Sequence, residues 1–107
     1  PDHIAVGDAA FAAIMPACDS PFIFPELLTQ GLEPYKVHEV YLFGSEELNV
    51  WIDISETIDL KVSALQCHKS QFGNLIELSD YARFSAQRQG FAHGIQYAES
   101  FRYFCLE

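Results

Sequence analysis

The sequence predicts an α/β fold. Apolar residues recur at helical spacing through residues 56–69 and 75–90, and short stretches rich in Val, Ile, Tyr and Phe read as strands. Taken in order, the segments run helix, strand, strand, helix, helix, strand, beginning with a helix that no strand precedes. A parallel sheet needs crossover connections, so the pattern leads us to expect further strands upstream of these residues.

Residues 4–15 are rich in Ala, with Val6, Phe11 and Ile14, and read as a buried helix that Asp2 is placed to cap. Pro16 and Ser20-Pro21 mark its end. Residues 22–28 are apolar but contain Pro25, and read as a loop with one helical turn. After a break at residues 31–34, residues 36–43 read as a strand buried on both faces, because Val37, Val40, Tyr41, Leu42 and Phe43 crowd together. Residues 44–49 form a polar turn. In residues 50–54, Val50, Ile52 and Ile54 alternate with Trp51 and Asp53, as a strand requires.

Ser55 is placed to cap a helix over residues 56–69, whose stripe is Ile58, Val62 and Leu65, with His68 at its edge. Asn74 and Glu77 have the spacing of a capping box. The helix they open turns Leu75, Leu78, Ala82 and Ala86 inward and stops at Gly90. Residues 97–106, with alternating aromatics, close the order as a turn and a strand.

The balance of charge narrows the partners. The 107 residues carry 15 acidic and only 6 basic side chains, for a formal charge of -9. Nucleic acid is excluded, since a phosphate backbone is neutralised by clustered Lys and Arg. Anionic membrane surfaces are disfavoured for the same reason, and no apolar run is long enough to span a bilayer. Cys18, Cys67 and Cys105 are far apart and odd in number. They make no zinc ribbon and fit a reducing, cytoplasmic setting.

A few residues could carry chemistry. Pro1-Asp2-His3 directly precedes a helix, where open α/β folds place their ligands. Taken alone, His3 reads as a helix-entry residue with no task rather than as a metal ligand, since a lone histidine is seldom a ligand. His68-Lys69-Ser70-Gln71 ends a helix and could line a polar pocket or simply be solvated. His38 reads as an outward strand residue and His93 as a loop residue. Ser45-Glu46-Glu47 reads as a solvated turn, and the four histidines have no metal-motif spacing.

Several stretches together resemble one family. Pro1-Asp2-His3-Ile4-Ala5-Val6-Gly7 is similar to the second signature of the LmbE/PIG-L zinc-dependent N-deacetylases, H-P-D-H followed by x-A-V-G, without its first His. The resemblance continues through Phe24-Pro25-Glu26-Leu27-Leu28, Gly31-Leu32-Glu33-Pro34 and Val40-Tyr41-Leu42-Phe43. It runs on through Asn49-Val50-Trp51-Ile52-Asp53-Ile54, Lys61, Ala64-Leu65, His68 and Ser70-Gln71. Gly90, Gly94, Tyr97-Ala98-Glu99 and Phe101-Arg102 complete it.

The resemblance implies the C-terminal part of a Rossmann-like three-layer sheet with helices. It also implies metal-dependent removal of an N-acetyl group from a GlcNAc-type or related small molecule. By that pattern His3 is a zinc ligand. Asp2 orients the imidazole that would precede Pro1, and His68 and Gln71 lie near the substrate. A catalytic zinc keeps three protein ligands and one water, whose pKa it lowers to about 7. The family's A-H-P-D-D-E motif, which brings the other ligands and the base, occurs nowhere in residues 1–107. The expectation is therefore a fragment inactive by itself and weak in zinc, whose exposed apolar faces favour a homo-oligomer. The alternative is a non-catalytic or split-chain module that retains the fold and acts by binding or oligomerisation.

Overall fold

A computed structural model describes residues 1–71 and 73–106. Its elements are helix α1 (Asp2–Ala12), helix α2 (Pro25–Thr29), strand β1 (Glu39–Leu42), strand β2 (Val50–Asp53), helix α3 (Ile58–Gln66), helix α4 (Leu75–Phe91) and strand β3 (Ala98–Cys105). The chain forms two compact units, Pro1–Val40 with the residues from Cys105, and Tyr41–Phe104. No helix of the described residues is long and apolar enough to cross a membrane.

The first unit departs from the sequence reading in three ways. Asp2 does not cap α1. Pro1 holds the N-cap position without a side-chain hydrogen bond, and Asp2 lies in the first turn, where its carboxylate still suits the helix dipole. The helix is not buried either: Ile4 is 72% exposed and Val6 68%, because nothing in the unit covers them. Regular helix ends at Ala12, and the turn Ala13–Ala17 breaks at Met15, whose backbone is extended (φ -150°, ψ 120°). That is the conformation Pro16 favours in the residue before it. The one helical turn expected in residues 22–28 is α2, which Pro25 opens at a position where its missing N–H costs nothing.

The second unit holds every buried residue among those described. Of the inward positions that the spacing indicated, Ile58 and Val62 of α3 and Leu78, Ala82 and Ala86 of α4 are buried, and Ala98 of β3 joins them, whereas Leu65 is half-buried and Leu75, in the first turn of α4, is 40% exposed. Burial of each large side chain is worth about 1.5–3 kcal/mol. Asn74 caps α4 as expected, its Oδ1 accepting from the N–H groups of Ile76 (3.0 Å) and Glu77 (3.1 Å). Ser55 does not cap α3. Thr57 stands at that position, and Ser55 Oγ instead accepts from the N–H of Tyr97 at 3.1 Å, tying the entry of α3 to the start of β3. The N–H of Ser55 in turn donates to Asp53 Oδ1 at 2.9 Å. Hydrogen bonding from Ser55 holds the Asp53 carboxyl below its ordinary range. An exposed ion pair, Arg83 to Asp59 at 2.6 Å, links α4 to α3; the Asp59 carboxylate keeps the Arg83 guanidinium firmly protonated.

The three strands lie in the order β1-β3-β2. β2 and β3 are antiparallel, with Val50 opposite Phe101 and Trp51 opposite Ser100, where a parallel arrangement was expected. Two helices separate these strands, and a second helix brings the chain back to the end of the sheet it had left. Asn49 extends the ladder with its side chain, accepting from the Tyr103 N–H at 2.6 Å and donating to the Tyr103 carbonyl at 3.0 Å. β1 covers only part of the expected strand. Its Val40 and Leu42 are half-buried while Glu39 and Tyr41 are exposed, so it is not covered on both faces.

Gly90 does not end α4. It is buried one residue before the last, where a Cβ would lie 2.2 Å from the Ile95 carbonyl oxygen. The turn back is made by Gly94, at φ +68°, a conformation that glycine adopts readily. Gly90→Ala should lower unfolding stability by about 1–3 kcal/mol through overpacking, although alanine is the better helix former. Denaturant titration checks this, and a neutral or stabilised variant would contradict the close approach.

Candidate functional site

Asp2 and His3 are adjacent in the first turn of α1, and both are exposed. Neighbouring positions on a helix do not face each other, so the carboxylate and the imidazole address different partners. His68 and Gln71 lie beyond α3 on one exposed turn, where the Gln71 N–H donates to the His68 carbonyl at 3.0 Å. The first pair belongs to the first unit and the second pair to the second. Among the described residues, no three His, Cys, Asp or Glu side chains stand together as a metal site requires. His3 is thus one imidazole without the companions that would complete a zinc centre.

A concavity lies wholly within the second unit. It is an open cleft of about 920 Å³ between α4, the segment from Phe43 to Leu48, and β2 and β3. On one wall the indole of Trp51 stacks on the His93 imidazole, with ring centroids 3.8 Å apart and planes inclined by 30°. On another, Lys61 of α3 pairs with Glu99 of β3 at 2.5 Å. Both side chains are about one-third exposed (33% and 34%), so solvent screens the pair and its worth to stability is small.

Gln89 fixes the wall formed by α4. Its Oε1 accepts from both the N–H (2.8 Å) and the Oγ (2.6 Å) of Ser100, and its Nε2 donates to Ser85 Oγ at 3.2 Å. Ser100 is the buried polar residue of β3, and Gln89 is what satisfies it. The first unit holds a smaller apolar hollow of about 240 Å³, beside Cys18, Phe24 and Leu28.

None of Asp2, His3, His68 or Gln71 lines the cleft. The sequence did not reveal the pairs that do. Lys61 and Glu99 are 38 residues apart, and His93 follows α4 as an ordinary turn residue whose stacking on Trp51 no spacing rule foretells. Ser45-Glu46-Glu47 is the solvated turn expected, closed by the Glu47 N–H donating to Ser45 Oγ at 3.1 Å. His38 lies outside β1, its carbonyl accepting from the Leu106 N–H at 2.7 Å.

No family model matches the chain. It is 31% identical to a diacetylchitobiose deacetylase of Thermococcus kodakarensis over 105 residues, which is 96% of this chain and 39% of that protein. It is also similar in structure to an N,N'-diacetylchitobiose deacetylase from Pyrococcus horikoshii solved with an inhibitor. There the TM-score is 0.83 and the identity 28%, over 98% of this chain and 40% of the other. The chain therefore spans about two-fifths of the length of each relative.

Gln89→Leu should leave the Ser100 N–H buried without a partner and cost about 1–3 kcal/mol. Thermal or urea unfolding measures it, and an unchanged midpoint would mean that the Ser100 contact does not anchor α4.

Proposed function

We propose, for a chain whose homologues are N-deacetylases of the LmbE/PIG-L family, that it forms the C-terminal part of a hydrolase acting on N-acetylated sugars. The observation that carries this reading is the similarity over nearly the whole chain, together with Pro1-Asp2-His3 at the entry to α1. The reaction adds water to the amide carbonyl, breaks the C–N bond, and yields acetate and a free amine. The leaving nitrogen must gain a proton, and the oxyanion needs a positive neighbour.

His3 is proposed as the chain's donor to a zinc centre, and Asp2 as the carboxylate that orients a neighbouring imidazole and favours its charged form. Their positions on successive residues of one helical turn suit two separate tasks. His68 and Gln71 are proposed to border the substrate. Since one imidazole does not hold a catalytic ion, the remaining donors and the base must come from residues outside 1–107. The apolar side chains left exposed, Phe11, Phe22 and Phe91 among them, support association into a homo-oligomer.

A second reading is a non-catalytic or split-chain module acting by binding or oligomerisation. One assay separates a catalytic part, fragment or split chain alike, from a non-catalytic module. The 107-residue chain alone should release no acetate from N,N'-diacetylchitobiose. A polypeptide bearing A-H-P-D-D-E should restore release, and His3→Ala should then cut turnover about a hundredfold or more while lowering bound zinc. Failure of that polypeptide to restore turnover supports the binding module. Turnover by the chain alone, or an unaffected His3→Ala, contradicts the assignment of His3.

A further inference from the structure

We propose that the outward face of α4 is the surface on which two copies of this chain pair, with the two helices antiparallel about a two-fold axis. This names the contact for the homo-oligomer proposed above, rests on that reading, and does not depend on the deacetylase chemistry. Glu77, Tyr81, Phe84, Arg88 and Phe91 follow one another at steps of four and three residues, so they form one stripe along α4. All five are exposed, on the side turned away from the buried Leu78, Ala82 and Ala86. Tyr81 is 69% exposed and Phe84 58%. An amphipathic helix ordinarily carries polar residues there, and aromatic rings left side by side gain by being covered.

The order of the stripe decides what covers it. From Glu77 to Arg88 it reads acid, aromatic, aromatic, base, so the stripe is complementary to itself when its direction is reversed. A two-fold axis joins the same surface of both copies, and whenever residue i meets j, j meets i. With the axis between Ala82 and Arg83, Glu77 of one copy stands opposite Arg88 of the other, and Tyr81 stands opposite Phe84. Each contact then occurs twice. A parallel pairing would set Glu77 against Glu77 and Arg88 against Arg88, which like-charge repulsion opposes.

The two charges are available for this task. Neither Glu77 nor Arg88 enters an ion pair among the described residues. The Arg88 guanidinium stands over the Phe84 ring, 5.9 Å from the centroid, so it already lies along the stripe with its N–H donors open. The neighbouring cations are engaged elsewhere, Arg83 with Asp59 and Lys61 with Glu99. Asp80, the other acid of α4, lies at the edge of the stripe.

Sedimentation equilibrium of the 107-residue chain should show a dimer that dissociates on dilution. Glu77→Arg and Arg88→Glu are both at exposed positions, and their fold is checked by circular dichroism. Each sets like charges opposite each other twice per dimer and should weaken association about a hundredfold or more. Mixed in equal amounts, the two variants should pair with each other, because each then complements the other. The double variant, Glu77→Arg with Arg88→Glu, should dimerise on its own.

A parent chain that stays monomeric overturns this proposal and the homo-oligomer reading together. Single variants that dimerise like the parent overturn the α4 surface alone and leave the oligomer to another face, such as exposed α1. Variants that lose the dimer and do not recover it on mixing overturn the pairing of Glu77 with Arg88. Dissolution of the dimer by a polypeptide bearing A-H-P-D-D-E means that the rest of a deacetylase domain covers this face, and overturns the proposal as well. No outcome turns on acetate release, so the deacetylase reading is judged separately.

Discussion

The second unit depends on how closely α4 approaches the start of β3. Gly90 lies against the Ile95 carbonyl with no room for a Cβ, and Ala82, Ala86 and Ala98 are buried in the same unit. Ser100 of β3 is buried and needs a partner, and Gln89, one residue before Gly90, supplies it. The bulky residues stand aside from the seam. Trp51, Tyr81 and Phe101 line the cleft beside α4, so the concavity and the tight helix–sheet contact are two sides of one arrangement.

The sequence made the helices of this unit legible because their apolar spacing reports directly which side turns inward. Ile58, Val62, Leu78, Ala82 and Ala86 are buried as that spacing requires, and Asn74 caps α4. Gly90 was misread because a glycine near a helix end has two physical uses, a turn or a close approach, and only the position of Ile95 distinguishes them. Ser55 was misread for a similar reason. Its hydroxyl suits a helix cap, yet Tyr97, 42 residues on, claims it. α1 was taken as buried because it is apolar, but apolarity states a need for cover and does not supply it.

The residues singled out in the sequence and the contacts that line the cleft are different sets. Similarity to the deacetylases pointed to Asp2, His3, His68 and Gln71, and the structure places them as two exposed pairs, one in each unit. It could not point to Lys61 with Glu99, Trp51 with His93, or Gln89 with Ser100. Those contacts join residues that are distant in sequence, and they exist only once β2, β3 and α4 have assembled. The deacetylase chemistry proposed for the whole protein draws on the first set.

Hydrogen exchange followed residue by residue tests most directly whether the α4–β3 seam organises the second unit. The Ser100 and Ile95 amides, bonded to Gln89 Oε1 and the Gly90 carbonyl, should exchange only when the whole unit opens, while the amides of exposed α1 exchange through local fraying. Ser100 and Ile95 amides exchanging as readily as those of α1 would contradict this account.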